Sequence, residues 1–227
     1  MAGFGAFGKM PAAGDFFRLN TPGGFVRVWD AWLQQVLLDG RTAYGSGFDA
    51  HYMTAPIWRF TLPAGLAGAA RTAGVMMPSV DRVGRRFPLT LMAALPGTDP
   101  AGLGHLGAER VFERLEDLAL DALEDTMTKD SLAERLAAIP VPDAAEAAAP
   151  LADAMEVVLA GPQGSERLGA AGAEGQLNPR LSGCSLWTAL LDGGPRTLAC
   201  MGLPAGAAAL ALFDLGAPVW TGAEVAG

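Results

Sequence analysis

Two apolar runs, residues 73–80 and 87–95, stand on either side of a short charged connection. Runs of that length, rich in Val, Met, Phe and Leu, read as strands, so the chain must build a sheet around this point. Pro78 and Pro88 cannot donate to a ladder, which places an edge or a bulge at each of them. The connection carries Asp81, Arg82, Gly84, Arg85 and Arg86, and Ser79 stands just before it. A link that had only to turn would be served by two residues such as Asn-Gly. Planar, permanently charged donors suit a carboxylate, a phosphate or a partner's backbone carbonyls. The alternative is that Asp81 pairs with Arg82, Arg85 or Arg86 and simply holds the loop, and the residue types alone favour it.

The remaining patterns interleave helix and strand. Residues 21–40 open on Thr21-Pro22, place Phe25, Val28, Trp29, Trp32 and Val36 at helical spacing, and close on Gly40. The aromatic stripe is core material. Residues 56–62 alternate as a half-buried strand, with Trp58 pointing to the core. Over 105–127 an apolar stripe faces an acidic one, and a second helix is predicted to start at Ser131, with Glu134 completing a capping box, and to stop before Pro140. Residues 140–150 read as a surface connection, 151–160 as a helix and 161–179 as a loop. Residues 181–191 and 196–201 form a hairpin about Asp192-Gly193-Gly194 that brings Cys184 near Cys200, and Pro204 opens a last helix through Phe213. Strand and helix do not alternate regularly, so the expected class is α+β with a mostly antiparallel sheet.

Composition excludes several functions. With 227 residues, 51% of them hydrophobic, the chain can bury a core as one domain, a motif-bearing part over 1–100 and a helical part with the hairpin and last helix over 101–227. Residues 1–99 carry nine Lys and Arg against six Asp and Glu, and 100–227 carry seven against eighteen, so the halves stand at +3 and −11. The net charge of −8 opposes a nucleic-acid partner. The N-terminus lacks a signal-peptide pattern and no apolar run is long enough to span a bilayer, which predicts a cytoplasmic protein. Two cysteines and two histidines are too few for a disulfide framework or a zinc site.

Chemical motifs fail on context. Gly3-Phe4-Gly5-Ala6-Phe7-Gly8-Lys9 satisfies G-x-G-x-x-G and most of a phosphate loop, but no buried strand precedes it and Met10 stands where a hydroxyl is needed. Ser79 and Asp81 could join a histidine in a triad, yet no Gly-x-Ser-x-Gly elbow supports one. No metal, cofactor or catalytic residue is expected. An anion- or nucleotide-binding domain using Ser79, Asp81, Arg82 and Arg85 stands as the alternative function.

Four motifs then fall in order over the first 95 residues: Gly8-Lys9-Met10-Pro11-Ala12-Ala13-Gly14-Asp15-Phe16, Trp29-Asp30-Ala31-Trp32, Ala55-Pro56-Ile57-Trp58-Arg59-Phe60, and Gly74 through Thr90 with its Pro78-Ser79-Val80-Asp81-Arg82-Val83-Gly84-Arg85 centre. Together they resemble the type VI secretion-associated TagF/ImpM family. Further on, Ser185-Leu186-Trp187 matches the family's Ser-Leu-Trp-Trp, with Thr188 in place of the second Trp. The resemblance implies a non-enzymatic cytoplasmic protein that restrains type VI secretion after translation. Its implied partner is the system's forkhead-associated scaffold protein, sometimes alongside a Ser/Thr phosphatase. The implied fold is an αβα sandwich similar to longin or profilin-like domains. Ser79, Asp81, Arg82 and Arg85 become candidates for partner contact. Gly14, Asp15 and Phe16 shape the N-terminal turn, with Asp15 bracing backbone amides or facing Asp81 and Arg82, and Trp58, Pro78, Gly84 and Trp187 are structural motif positions.

Overall fold

The computed structural model describes residues 3–97, 105, 108–142, 156–161, 164–169 and 183–221. Its strands are β1 (Gly5–Gly8), β2 (Phe17–Leu19), β3 (Trp58–Leu62), β4 (Thr72–Met77), β5 (Leu89–Ala94), β6 (Glu156–Gly161), β7 (Gly164–Gly169), β8 (Cys184–Ala189) and β9 (Arg196–Met201). They form a single sheet in the order β2-β1-β5-β4-β3-β8-β9-β6-β7. The helices are α1 (Phe25–Tyr44), α2 (Phe48–Thr54), α3 (Glu109–Asp121), α4 (Lys129–Ala137), α5 (Ala207–Leu210) and α6 (Pro218–Thr221).

This corrects the expected fold class. The chain builds a nine-stranded mixed sheet, β6 running parallel to β9 and the other neighbouring pairs antiparallel. Strands outnumber helices, so the fold is sheet-dominated and not a helix-flanked antiparallel sandwich of longin or profilin type. Two misread regions account for it. The segment expected as a helix over 151–160 holds β6, because Val157, Val158 and Leu159 form a continuous apolar run, and such a run can be a buried strand as easily as a helix. The segment expected as a loop over 161–179 holds β7 in its described part. The Gly-rich N-terminus supplies β1, whose residues pair with β5 on one side and β2 on the other.

Two cores sandwich the sheet. One is aromatic: Trp29, Trp58, Trp187, Phe25, Phe60 and Tyr52 pack between the strands and α1, α2 and the C-terminal helices. Trp29 and Trp187 stack with ring centroids 5.8 Å apart, and Trp58 stacks on Trp220 at the same spacing. The other is mostly aliphatic, joining Val75, Leu89 and Leu91 of the sheet to Leu115, Leu118 and Ala119 of α3 and Leu132 and Leu136 of α4. With cover on both faces, β3 is buried at every residue rather than half-buried as expected.

Element ends shift for local reasons. Helix α1 begins at Phe25 after a turn in which Phe25 N–H donates to Pro22 O, and it runs through Gly40 to Tyr44. Gly40 is a contact point and not a terminator, since a Cβ there would lie 2.2 Å from the Phe48 ring. The cap of helix α4 falls three residues earlier than expected, at Thr128, whose hydroxyl accepts from Ser131 N–H at 3.1 Å. The β8–β9 hairpin pairs Cys184 with Met201 and Ser185 with Cys200, so the two cysteines are sheet neighbours whose side chains leave on opposite faces. Both are buried and form no disulfide. Among the described residues no helix is long and apolar enough to cross a membrane.

Candidate functional site

The connection between β4 and β5 is built around one carboxylate. Asp81 is 2% exposed, and its Oδ2 accepts from Lys9 Nζ at 2.9 Å and from Arg85 Nε at 2.6 Å. Its Oδ1 accepts from the backbone N–H of Val83 at 3.1 Å and of Arg85 at 2.9 Å. Burial alone would push this carboxyl up, but the Lys9 ammonium, the Arg85 amide and guanidinium and the Val83 amide outweigh it and hold it below the usual carboxylate range. The turn closes with Gly84 N–H on Asp81 O at 2.8 Å, and the φ of +80° at Gly84 is one that residues with a Cβ resist.

The same loop is tied to the N-terminal turn. Arg82 N–H donates to Ala13 O at 3.1 Å, Arg82 Nη2 to Ala12 O at 2.8 Å and Arg85 Nη2 to Gly14 O at 2.9 Å. Gly14, Asp15 and Phe16 are therefore held beside the Arg residues. Asp15 is exposed and its Oδ1 accepts from Phe16 N–H at 2.8 Å, so it braces a backbone amide and does not pair with Asp81 or Arg82. Phe16 packs its ring against Phe7 and Phe87 and lies 4.7 Å from Lys9 Nζ, yet remains 46% exposed. Val83, at the tip, is 72% exposed.

Lys9 is the residue that sequence reasoning missed. Its apparent phosphate-loop setting arises because Gly8 lies where a Cβ would be 2.1 Å from Pro88 O, at φ +133°. The lysine's destination is Asp81, 72 residues away. A lysine in a chain with only one other, set among buried apolar residues, was the signal to follow. Tyr52 was missed as well: its hydroxyl donates to Ser79 O at 2.8 Å and accepts from Ser79 N–H at 3.0 Å, fixing the end of β4 from α2. Burial pushes the Tyr52 hydroxyl well above its ordinary range, so it stays protonated.

The other predicted positions are placed as follows. Ser79 is 3% exposed with its hydroxyl buried, and Pro78 lies just past the last residue of β4. Trp58 is 1% exposed and donates to Leu212 O at 2.7 Å. Trp187 is fully buried, its Nε1 on Ser185 Oγ at 2.9 Å. Arg86 pairs with Asp49 of α2 at 3.1 Å. Inside the loop the Lys9 ammonium and the Arg85 Nε are already bound to Asp81, so neither stands open to a phosphate or nucleotide there. Among the described residues no group of three or more His, Cys, Asp or Glu could hold a metal.

A second buried polar cluster lies under β3, β8 and β9. His105 Nδ1 meets Thr61 Oγ1 at 2.9 Å, its Nε2 meets Thr188 Oγ1 at 3.0 Å, and Thr188 Oγ1 meets Thr197 Oγ1 at 2.9 Å. Thr188, the residue standing where a second Trp was expected, is thus the link between the histidine and β9. Beside it Arg59 makes a two-point ion pair with Glu116 of α3, both contacts at 2.7 Å.

A family model described as the TagF N-terminal domain, type VI secretion system-associated, matches residues 5–139, a span that contains Lys9, Asp81 and the Arg residues. A crystal structure of PA0076 from Pseudomonas aeruginosa PAO1 is similar with a TM-score of 0.69 and 28% identity, covering 99% of this chain and 97% of that one. No curated protein matches.

Proposed function

Because the chain belongs to the type VI secretion-associated TagF family, we propose that it is a non-enzymatic accessory protein that restrains type VI secretion after translation. It acts in the cytoplasm by binding the system's forkhead-associated scaffold protein, the partner that the family resemblance implies. The observation that supports binding over catalysis is the state of Asp81. Its oxygens accept from four donors and its charge is fixed. A group so satisfied is poor as a base or nucleophile and good as a fastener.

The test is an affinity pull-down of the tagged protein from its own host's lysate, read by mass spectrometry, together with secretion assayed in the medium. Recovery of the forkhead-associated scaffold, and lower secretion on overexpression, are expected. A well-folded bait that recovers no type VI component, with secretion unchanged, overturns the reading.

A further inference from the structure

We propose that the surface formed by Phe16, Arg82, Val83 and Arg85 is the docking face, and that the partner segment it takes is acidic and carries an apolar side chain. This rests on the regulatory reading above and names the chemistry of its partner.

Three observations carry it. The first is shape: seven bonds, from Lys9, Arg82 and Arg85 and from the amides of Arg82, Val83 and Arg85, fix the loop and lash it to residues 12–14. A surface fixed before binding loses little freedom when a partner arrives. The second is what that rigid face presents. Val83 is 72% and Phe16 46% exposed, and the Phe16 ring is supported from behind by Phe7 and Phe87. Arg82 commits only Nη2 to Ala12 O, leaving the rest of its fork outward, and the Arg85 side chain is 58% exposed. Aromatic and Arg side chains on a rigid support are what binding hot spots are made of.

The third is charge. Lys9, Arg82 and Arg85 stand here against Asp15 and Asp81, while Arg86 is paired with Asp49. The local sign is positive in a chain whose net charge is −8. An acidic segment is drawn to this face and repelled from the acidic side of α3, which sets its orientation as well as its rate of encounter.

The test uses the purified full-length chain and the purified forkhead-associated scaffold of the same host. Val83→Glu is the leading variant, because that side chain is largely solvent-exposed and its replacement leaves the fold intact, to be checked by melting. Expected are binding by the wild-type chain, a loss of about tenfold or more for Val83→Glu at unchanged melting temperature, and wild-type affinity that falls between about 50 and about 500 mM salt. Arg82→Ala should weaken binding and flatten that salt dependence. If the wild-type chain binds while Val83→Glu and Phe16→Ala bind equally well, the docking face is wrong and the regulatory reading survives. If the wild-type chain does not bind the scaffold, the regulatory reading falls and this inference with it. A wild-type dimer in solution that Val83→Glu dissociates would assign the face to a second copy and overturn the proposal.

Discussion

Asp81 in its loop and the polar ladder beneath β3, β8 and β9 are both buried and hydrogen-bonded, but they treat charge in opposite ways. At Asp81 the charge is kept: an ammonium, a guanidinium and two amides converge on one carboxylate. In the ladder it is suppressed at the histidine, where burial and then the nearby Arg59 push His105 down to about 3, so that a neutral ring bridges hydroxyls of two strands. The difference follows from what each must join. Two irregular loops have unpaired amides that a strong, charged acceptor can gather, and carbonyls that the two guanidiniums can take. Three paired strands have only side chains left to connect, and neutral hydroxyls do so without the cost of a buried charge. The first cluster ends at an exposed surface and the second does not, which is why binding is assigned to the first.

The largest effect should come from removing the charge at the loop. Asp81→Ala strands Lys9, whose side chain is 6% exposed, and releases Arg85 and two amides at once. It should melt at a lower temperature than any other single loop variant and lose the scaffold. An Asp81→Ala protein that melts like the wild type would show that the carboxylate does not organise the loop. Next is Glu116→Ala, which leaves Arg59, 5% exposed, without its two-point partner. Breaking a buried pair in this way costs about 3 kcal/mol, read as a lower denaturant midpoint at constant slope. Scaffold binding by the folded fraction should be unchanged, because Glu116 bonds to Arg59 and to no residue of the docking face.

The two clusters were not equally legible in the sequence. Pairing of Asp81 with Arg85 was one of the readings the residue types allowed, because both lie in one short loop. Lys9 was not, since no local pattern announces a partner 72 residues away. His105 was equally hidden: a lone histidine gives no sign of the threonines it will meet on β3 and β8. The fold shows the same division. The β8–β9 hairpin followed from Asp192-Gly193-Gly194 between two apolar runs, and the α1 stripe from its spacing. Strand β6 did not, because its pairing with β9 is parallel and non-local, and its three consecutive apolar residues have no alternation to betray it.

The pH dependence separates the clusters further. His105 has its proton affinity lowered from 6.5 to about 3, so below the ordinary value the unfolded chain binds more protons than the folded one. Its contribution is therefore full above about pH 6.5 and declines as pH falls toward 3, by up to about 1.4 kcal/mol per unit. Asp81 is also held down, so its contribution is present above the ordinary carboxylate range and is lost only as pH falls through and below it. Unfolding free energy measured from pH 7 to 4.5 should decline for the wild type and stay flatter for His105→Gln. Parallel curves would mean that the histidine is not held neutral by the fold.

The smallest effect on stability is expected where the effect on binding is large. Arg82→Ala removes one exposed bond, Nη2 to Ala12 O, while the backbone bond from Arg82 N–H to Ala13 O remains. The cost should be about 1 kcal/mol or less. If Arg82 serves only to join the two loops, binding should weaken no more than that small loss implies, and Arg82→Lys should restore both. If its outward donors meet an acidic partner, affinity should drop well beyond the stability change, and Arg82→Lys should recover the salt dependence without the full affinity, because an ammonium supplies the charge and not the planar fork. Melting and binding measured on the same three proteins decide whether Arg82 is a fastener alone or a fastener with a second face.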